Sequence, residues 1–227
     1  MKVAILGRGK TGSKVARVCE EQDISHTVFH SENPPTIAAL KLHDVIISFF
    51  PGTVLLDYLD MIKEAKVSIV SGSTGVEWPE DLKTYLVNNQ MTWIQGHNFS
   101  LGMNLVHKVI KLMNEAPRLF GEDFSAHIHE VHHTNKLDAP SGTAIKWRDW
   151  SGLSDHMDEI TSERTGDVVG FHSLEVKGPS ETITLTHEAH DRKVFASGAV
   201  WAAKKIMNKE CEPGYFWFED IALKELI

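Results

Sequence analysis

Six residues near the start of the chain constrain its fold more than any others: Gly7-Arg8-Gly9-Lys10-Thr11-Gly12. They follow a short apolar run at residues 3–6 and open a stretch, residues 11–22, whose apolar residues Val15, Ala16, Val18 and Cys19 recur at helical spacing. G-x-G-x-x-G between a strand and a helix predicts a dinucleotide-binding turn. The first glycine permits the tight turn, the second lets backbone approach a pyrophosphate, and the third packs helix against strand. The phosphates would then meet free N–H groups at the helix N-terminus. At the end of the next strand stand Phe29-His30-Ser31-Glu32. Glu32 suits the ribose hydroxyls of NADH, whereas His30, Ser31 and Lys10 suit a 2′-phosphate, so NADH and NADPH both stay open.

The pattern beyond the loop extends this reading. Apolar strands are predicted at residues 26–29, 44–50, 67–70 and 91–94, alternating with helical stretches at 55–63 and 78–88. Continuous apolar strands separated by helices imply a parallel sheet covered on both faces. After Asn98 the character changes. A helix at about 104–115 leads into strands at 124–131, 168–176 and 181–187, where polar and apolar residues alternate as in a sheet with one covered face. Helices follow at 196–207 and 217–226. The predicted fold class is α/β: an N-terminal Rossmann-like dinucleotide-binding domain (1–98) and a C-terminal α+β substrate domain on a mixed sheet (99–205). The tail (206–227) is expected to pack back on the first domain, and the second to carry catalysis and oligomer contacts.

Composition narrows the partners. A net charge of −8, with no dense Lys/Arg cluster, argues against nucleic acid. No apolar run approaches the roughly 20 residues a membrane span needs, and the start reads as a strand rather than a signal peptide. Cys19 and Cys211 have neither disulfide nor metal spacing, which fits a reducing compartment and a cytoplasmic location.

His129-Glu130-Val131-His132-His133 fits the zinc-protease pattern H-E-x-x-H. That pattern requires a helix, where positions i and i+4 lie about 6 Å apart. Here Phe124, Ala126 and Ile128 alternate as in a strand, which would separate His129 and His133 by about 13 Å. No metal is therefore expected, and His127 and His129 are read as structural.

The most informative stretch is Glu130-Val131-His132-His133-Thr134-Asn135-Lys136-Leu137-Asp138-Ala139-Pro140-Ser141-Gly142-Thr143-Ala144. Two imidazoles and an ammonium leave a strand end, followed by Pro-Ser-Gly-Thr, a plausible helix start whose free N–H groups can hold a carboxylate. Such a set can bind an anion and pass it a proton.

This segment closely resembles the signature of the dihydrodipicolinate (4-hydroxy-tetrahydrodipicolinate) reductase family of lysine and diaminopimelate biosynthesis, E-x-H-H-x-x-K-x-D-A-P-S-G-T-A. Every fixed position is present. Gly72-Ser73-Thr74-Gly75 is similar to the family's G-T-T-G, His97-Asn98-Phe99-Ser100-Leu101-Gly102 to its A-N-F-S-x-G, and Arg164-Thr165-Gly166, Gly170-Phe171 and Arg192 through Ala199 to later positions. The resemblance implies an NAD(P)H-dependent oxidoreductase that reduces a cyclic dicarboxylate. It implies His132 as proton donor and Lys136 as second catalytic residue, with His133, Lys136, Gly142 and Thr143 on the substrate carboxylates. The cofactor would meet Gly7, Arg8, Gly9, Lys10, Thr11, Gly12, Gly72, Ser73, Thr74, Gly96, His97, Asn98 and Phe99. A homo-oligomer is implied as well.

The chain departs from the family in two places. Its glycine loop is one residue shorter and ends Lys10-Thr11-Gly12 instead of R-M-G. The usual strand–loop–strand excursion between Phe171 and His187 is contracted to Lys177-Gly178-Pro179-Ser180, with Glu175 where an arginine is usual. That contraction predicts a dimer or a differently arranged tetramer. Two other functions stay open on the residues: a two-domain NAD(P) oxidoreductase acting on another amino-acid-like acid, and a non-catalytic NAD(P)-binding regulator.

Overall fold

The computed structural model describes residues 1–121 and 123–225. The chain divides into two compact units, Met1–Leu101 with Arg192–Ile227, and Gly102–Asp191.

The first unit is a six-stranded sheet built of β1 (Lys2–Leu6), β2 (Ser25–Phe29), β3 (Val45–Ser48), β4 (Ile69–Ser71), β5 (Thr92–Gln95) and, from the returning chain, β10 (Gly214–Trp217). Every pairing is parallel, in the order β10-β5-β4-β3-β1-β2. Helices α1 (Gly12–Glu21), α2 (Ile37–Leu40), α3 (Gly52–Asp57), α4 (Leu59–Ala65) and α5 (Leu82–Asn88) connect the strands, and α9 (Lys193–Met207) and α10 (Phe218–Lys224) close the chain. Successive strand side chains point to opposite faces, so each strand feeds two cores. Val3, Ile5, Val45, Ile47, Val70 and Ile94 join α1 and α9 on one side. Ala4, Leu6, Ile46, Ile69 and Trp93 meet the α2–α5 side.

The chain re-enters this unit at Arg192, ahead of residue 206 where the sequence reading set the return. The cause is α9, whose buried face of Ala196, Gly198, Ala199, Val200, Ala202 and Ala203 is small enough to lie close to the sheet. A Cβ on Gly198 would stand 1.7 Å from the Phe99 carbonyl oxygen. Gly198→Ala is therefore expected to cost about 3 kcal/mol by forcing α9 outward, read as a lower urea midpoint; an unchanged midpoint would contradict this packing.

The second unit packs helices against one face of a four-stranded mixed sheet. It contains α6 (Leu101–Leu112, beginning at the boundary), α7 (Ala116–Phe120), β6 (Ser125–His132), α8 (Gly142–Ser151), β7 (Thr161–Arg164), β8 (Gly170–Lys177) and β9 (Thr182–Ala189). The order is β7-β6-β8-β9, with β7–β6 parallel and the rest antiparallel. The covered face carries Ala126, Ile128, Leu174 and Val176, packed with Met103, Ile110, Ala144 and Trp147. Gly178 N–H donates to the Glu181 carbonyl at 2.9 Å, so the contracted segment is a tight hairpin turn.

Several elements differ from expectation. The helix read at 55–63 breaks at Tyr58 into α3 and α4. β7 and β10, both short edge strands, were not foreseen; Thr-Ser-Glu-Arg of β7 carries no hydrophobic alternation. The stretch at 217–226 begins one residue later, after β10, as α10; Leu226 lies outside the described residues.

Candidate functional site

At the C-terminal edge of the parallel sheet, the loops that follow β1, β3, β4 and β5 are tied side by side. Phe49 N–H donates to Leu6 O (2.9 Å), Gly72 N–H to Ser48 O (2.8 Å) and Gly96 N–H to Ser71 O (2.9 Å). From β1 the chain crosses to β2 on one side, and from β3 to β4 on the other. The crevice between β1 and β3 is thus the switch point where nucleotides bind in doubly wound sheets. A cavity of about 390 Å³ occupies it, lined among others by Gly7, Arg8, Gly9, His30, Ser31 and Phe49. The glycine loop suits this place. A Cβ on Gly12 would fall 2.0 Å from Gly7 O, so only glycine lets the helix start under the turn, while Gly9 has open space above it. Arg8 Nη2 and Glu32 Oε1 form an exposed ion pair at 3.0 Å.

The other expected cofactor positions divide by exposure. The Ser73 hydroxyl lies buried 3.3 Å from Ser48 Oγ, with the Ser73 carbonyl accepting from Gln95 Nε2 at 2.7 Å. Asn98 Oδ1 caps Ser100 N–H at 2.9 Å, and His97 stacks on Trp217. The Phe99 ring packs against Phe49 and Phe218, so any ligand contact at Phe99 falls to its backbone.

In the second unit, β6 places its residues by parity. Ala126, Ile128, Glu130 and His132 share the covered face, and that face turns from apolar to ionisable over the last two. The His129–Glu130 pair thus lies on a strand, with consecutive side chains on opposite sides. His129 Nδ1 and His127 Nε2, on the outer face, both reach Thr161 Oγ1 at 2.9 Å.

Glu130 is fully buried, and its carboxylate is enclosed by donors. One oxygen accepts from Arg164 Nη2 (2.8 Å) and from Ser141 N–H (3.2 Å); the other accepts from His132 Nδ1. Burial alone would raise this carboxyl. Hydrogen bonds from Arg164 and Ser162, with the charge and hydrogen bond of His132, outweigh it and hold Glu130 below the usual range. Glu130 is therefore ionised and His132 carries its proton on Nδ1, leaving Nε2 as the free nitrogen. Burial lowers His132, with Lys136 and Arg164 adding to the effect and Glu130 opposing it.

His172, opposite Glu130 on β8, is pushed down to about 3, first by burial and then by the charge of His132. Ser141 Oγ caps α8 by accepting from Ala144 N–H (3.2 Å). Its own proton is free to go to His172 Nε2, 3.2 Å away. The two rings meet edge to face, centroids 5.0 Å apart.

Beyond His132 the chain turns, with Lys136 N–H on His133 O, and α8 begins at Gly142. Lys136 Nζ donates to Asp138 Oδ1 at 2.8 Å. Burial acts to raise the Asp138 carboxyl, but Lys136 and the backbone N–H of Gly142 are among the groups that hold it low. The chain's own carboxylate thus rests on the ammonium expected to take a substrate carboxylate. Gly142 is exposed, Thr143 and His133 half-buried. Arg192, at the start of α9, belongs to the other unit.

Sequence reasoning passed over Glu130 and Arg164 as site residues. The parity of β6 contained the signal for Glu130, two residues before His132. Arg164 was marked only as part of the family-like Arg164-Thr165-Gly166, with no sign of its role.

Residues 102–222 match the family model described as dihydrodipicolinate reductase, C-terminus. A 4-hydroxy-tetrahydrodipicolinate reductase from Alkaliphilus oremlandii is 34% identical over 199 residues, covering 79% of this chain and 80% of that protein. Another, from Staphylococcus haemolyticus, is 30% identical over an alignment of 249 residues, covering 97% and 100%. The solved structure of dipicolinate-bound dihydrodipicolinate reductase from Paenisporosarcina sp. TG-14 superposes with a TM-score of 0.73 at 22% identity, over 97% of this chain and 99% of that one.

Proposed function

Because the chain belongs to the dihydrodipicolinate reductase family, we propose that it is a 4-hydroxy-tetrahydrodipicolinate reductase, reducing a cyclic dicarboxylate in lysine and diaminopimelate biosynthesis. The observation that carries this is the Lys136 ammonium, already bearing the Asp138 carboxylate at 2.8 Å, on the turn between His132 and the start of α8. A nicotinamide dinucleotide, when bound, supplies the hydride. Gly7 through Gly12 would hold its pyrophosphate; Gly72 to Thr74 and Gly96 to Phe99 flank the same sheet edge.

The chain's own residues do the rest. Lys136 and the N–H groups of Gly142 and Thr143, with His133, bind and orient the substrate carboxylates. His132 Nε2 passes a proton to the electron-rich ring after reduction. A doubly anionic substrate beside it raises the His132 pKa and so loads the acid only when substrate is present. Lys136 supplies fixed positive charge against the charge that develops.

On cofactor choice, Glu32 suits ribose hydroxyls, and His30, Ser31 and Lys10 suit a 2′-phosphate, with Arg8 lining the same cavity. The exposed Arg8–Glu32 pair is worth less than about 1 kcal/mol, too little to exclude either partner. The protein should oxidise both NADH and NADPH, with kcat/KM values within about tenfold, when hydroxytetrahydrodipicolinate is generated in a coupled assay. Turnover with neither cofactor would overturn the assignment.

No helix among the described residues is long and apolar enough to cross a membrane. We place the enzyme in the cytoplasm, in line with its two free thiols. It is read as a homo-oligomer, either a dimer or a rearranged tetramer, given the short β8–β9 turn and the exposure of β9.

A further inference from the structure

We propose that Glu130, clamped by Arg164, is the positioning residue that sets the tautomer and acidity of His132, and that Arg164 joins this pair to the substrate-binding turn. The inference rests on the reductase reading for its kinetics, but its first observable does not.

The geometry joins Glu130 to His132 directly. It is fully buried two residues from His132 on the same strand face, and its two oxygens are divided. One takes the His132 Nδ1 proton, while the other takes Arg164 Nη2 and Ser141 N–H. A buried carboxylate so held cannot rotate without stranding a donor. The imidazole is therefore fixed in orientation as well as in tautomer, the role an orienting carboxylate plays in acid–base pairs generally. Arg164 reaches this point because β7 pairs in parallel with β6, setting Arg164 opposite His132. The same Nη2 also donates to the Asp138 carbonyl, so one guanidinium ties the acid to the turn carrying Lys136. Space is kept beside the working nitrogen, since a Cβ at position 170 would lie 3.1 Å from His132 Nε2.

The electrostatic consequence follows from the groups that face His132. Glu130 on β6 favours the protonated ring; Arg164 on β7 and Lys136 on the turn disfavour it. His172 on β8, itself paired across to His187 on β9, stays neutral through this range, with its pKa at about 3. Replacing Glu130 by the isosteric glutamine removes the favourable charge and leaves the two cations and burial in place. His132 must then hold its proton less tightly, so the alkaline fall of kcat moves to lower pH.

The test is nitrogen-15 NMR of the histidines of the full-length protein, joined to pH-dependent kinetics of Glu130→Gln and Arg164→Lys. In the wild-type protein near neutral pH, His132 should show protonated Nδ1 and bare Nε2. In Glu130→Gln that preference should be lost, kcat should fall about 100-fold with KM within about threefold, and the alkaline limb should shift down in pH. Arg164→Lys keeps the positive charge but not the two-point reach, and should move kcat and the limb the same way by a smaller amount. Wild-type His132 protonated on Nε2 would overturn the proposal. So would folded variants whose loss falls on KM alone or whose pH limb stays in place. If Glu130→Gln does not fold, Arg164→Lys and the wild-type spectrum decide. A wild-type protein with the expected tautomer and no turnover would sink the reductase reading while leaving the Glu130–His132 pairing intact.

Discussion

His132→Gln is expected to lower kcat about 100- to 1,000-fold while leaving KM for the cyclic dicarboxylate within a few-fold. Glutamine keeps a polar group near Glu130 and removes the titrating nitrogen, so binding survives and proton delivery does not. The carboxylates are gripped elsewhere, by Lys136 and the first amides of α8, which predicts the opposite balance for Lys136→Ala: a loss in kcat with a marked rise in KM. In the wild type, kcat/KM should fall as pH rises, because the imidazolium is the working form and burial lowers its pKa in the free protein. Steady-state kinetics across pH would check both. A His132→Gln enzyme with near-normal kcat would remove His132 from the chemistry.

Mild acid should destabilise this protein steeply. His172 is buried neutral, with its pKa pushed down to about 3 from an ordinary value near 6.5. Between those limits the unfolded chain binds a proton that the folded chain refuses. The stabilisation from this one group is complete above pH 6.5, declines by on the order of 1 kcal/mol per pH unit, and is gone near pH 3. His43, His132 and His187 are lowered as well, burial being the first cause in each, and they add loss of the same sign. Glu130 and Asp138, also held low, contribute only further down, as pH falls below the usual carboxylate range. Against a total stability of about 5–15 kcal/mol, the histidines alone should bring urea midpoints down sharply between pH 7.5 and 5. His172→Gln, which keeps an acceptor for Ser141, should flatten that slope. Equal wild-type midpoints at the two pH values would contradict a neutral buried His172.

The legibility of the site differed from residue to residue. The glycine loop announced itself because its whole logic is contained in about twenty consecutive residues: apolar strand, turn without side chains, amphipathic helix. His132 and Lys136 were found through a run of consecutive identities and not through periodicity. Glu130 lay in plain view of the strand's alternation, yet its burial was missed, since a carboxylate facing a core is expected only where donors surround it. Those donors come from β6 itself, from β7 and from the N-cap of α8. Likewise His127 and His129, read as structural, share Thr161, a partner that no spacing rule could name.

Local order was therefore available in the linear chain: the doubly covered parallel strands, the nucleotide turn, the two-faced β6 and the capped start of α8, all of which depend on neighbours a few residues away. What only the folded molecule decided was the register of β7 on β6, which carries Arg164 across 34 positions to Glu130, and the return of α9 over Phe99, which Gly198 makes possible. Both depend on pairing and close approach between distant segments. Such contacts are set by the shape of the completed core, and a short polar edge strand carries no hydrophobic rhythm from which they could be read.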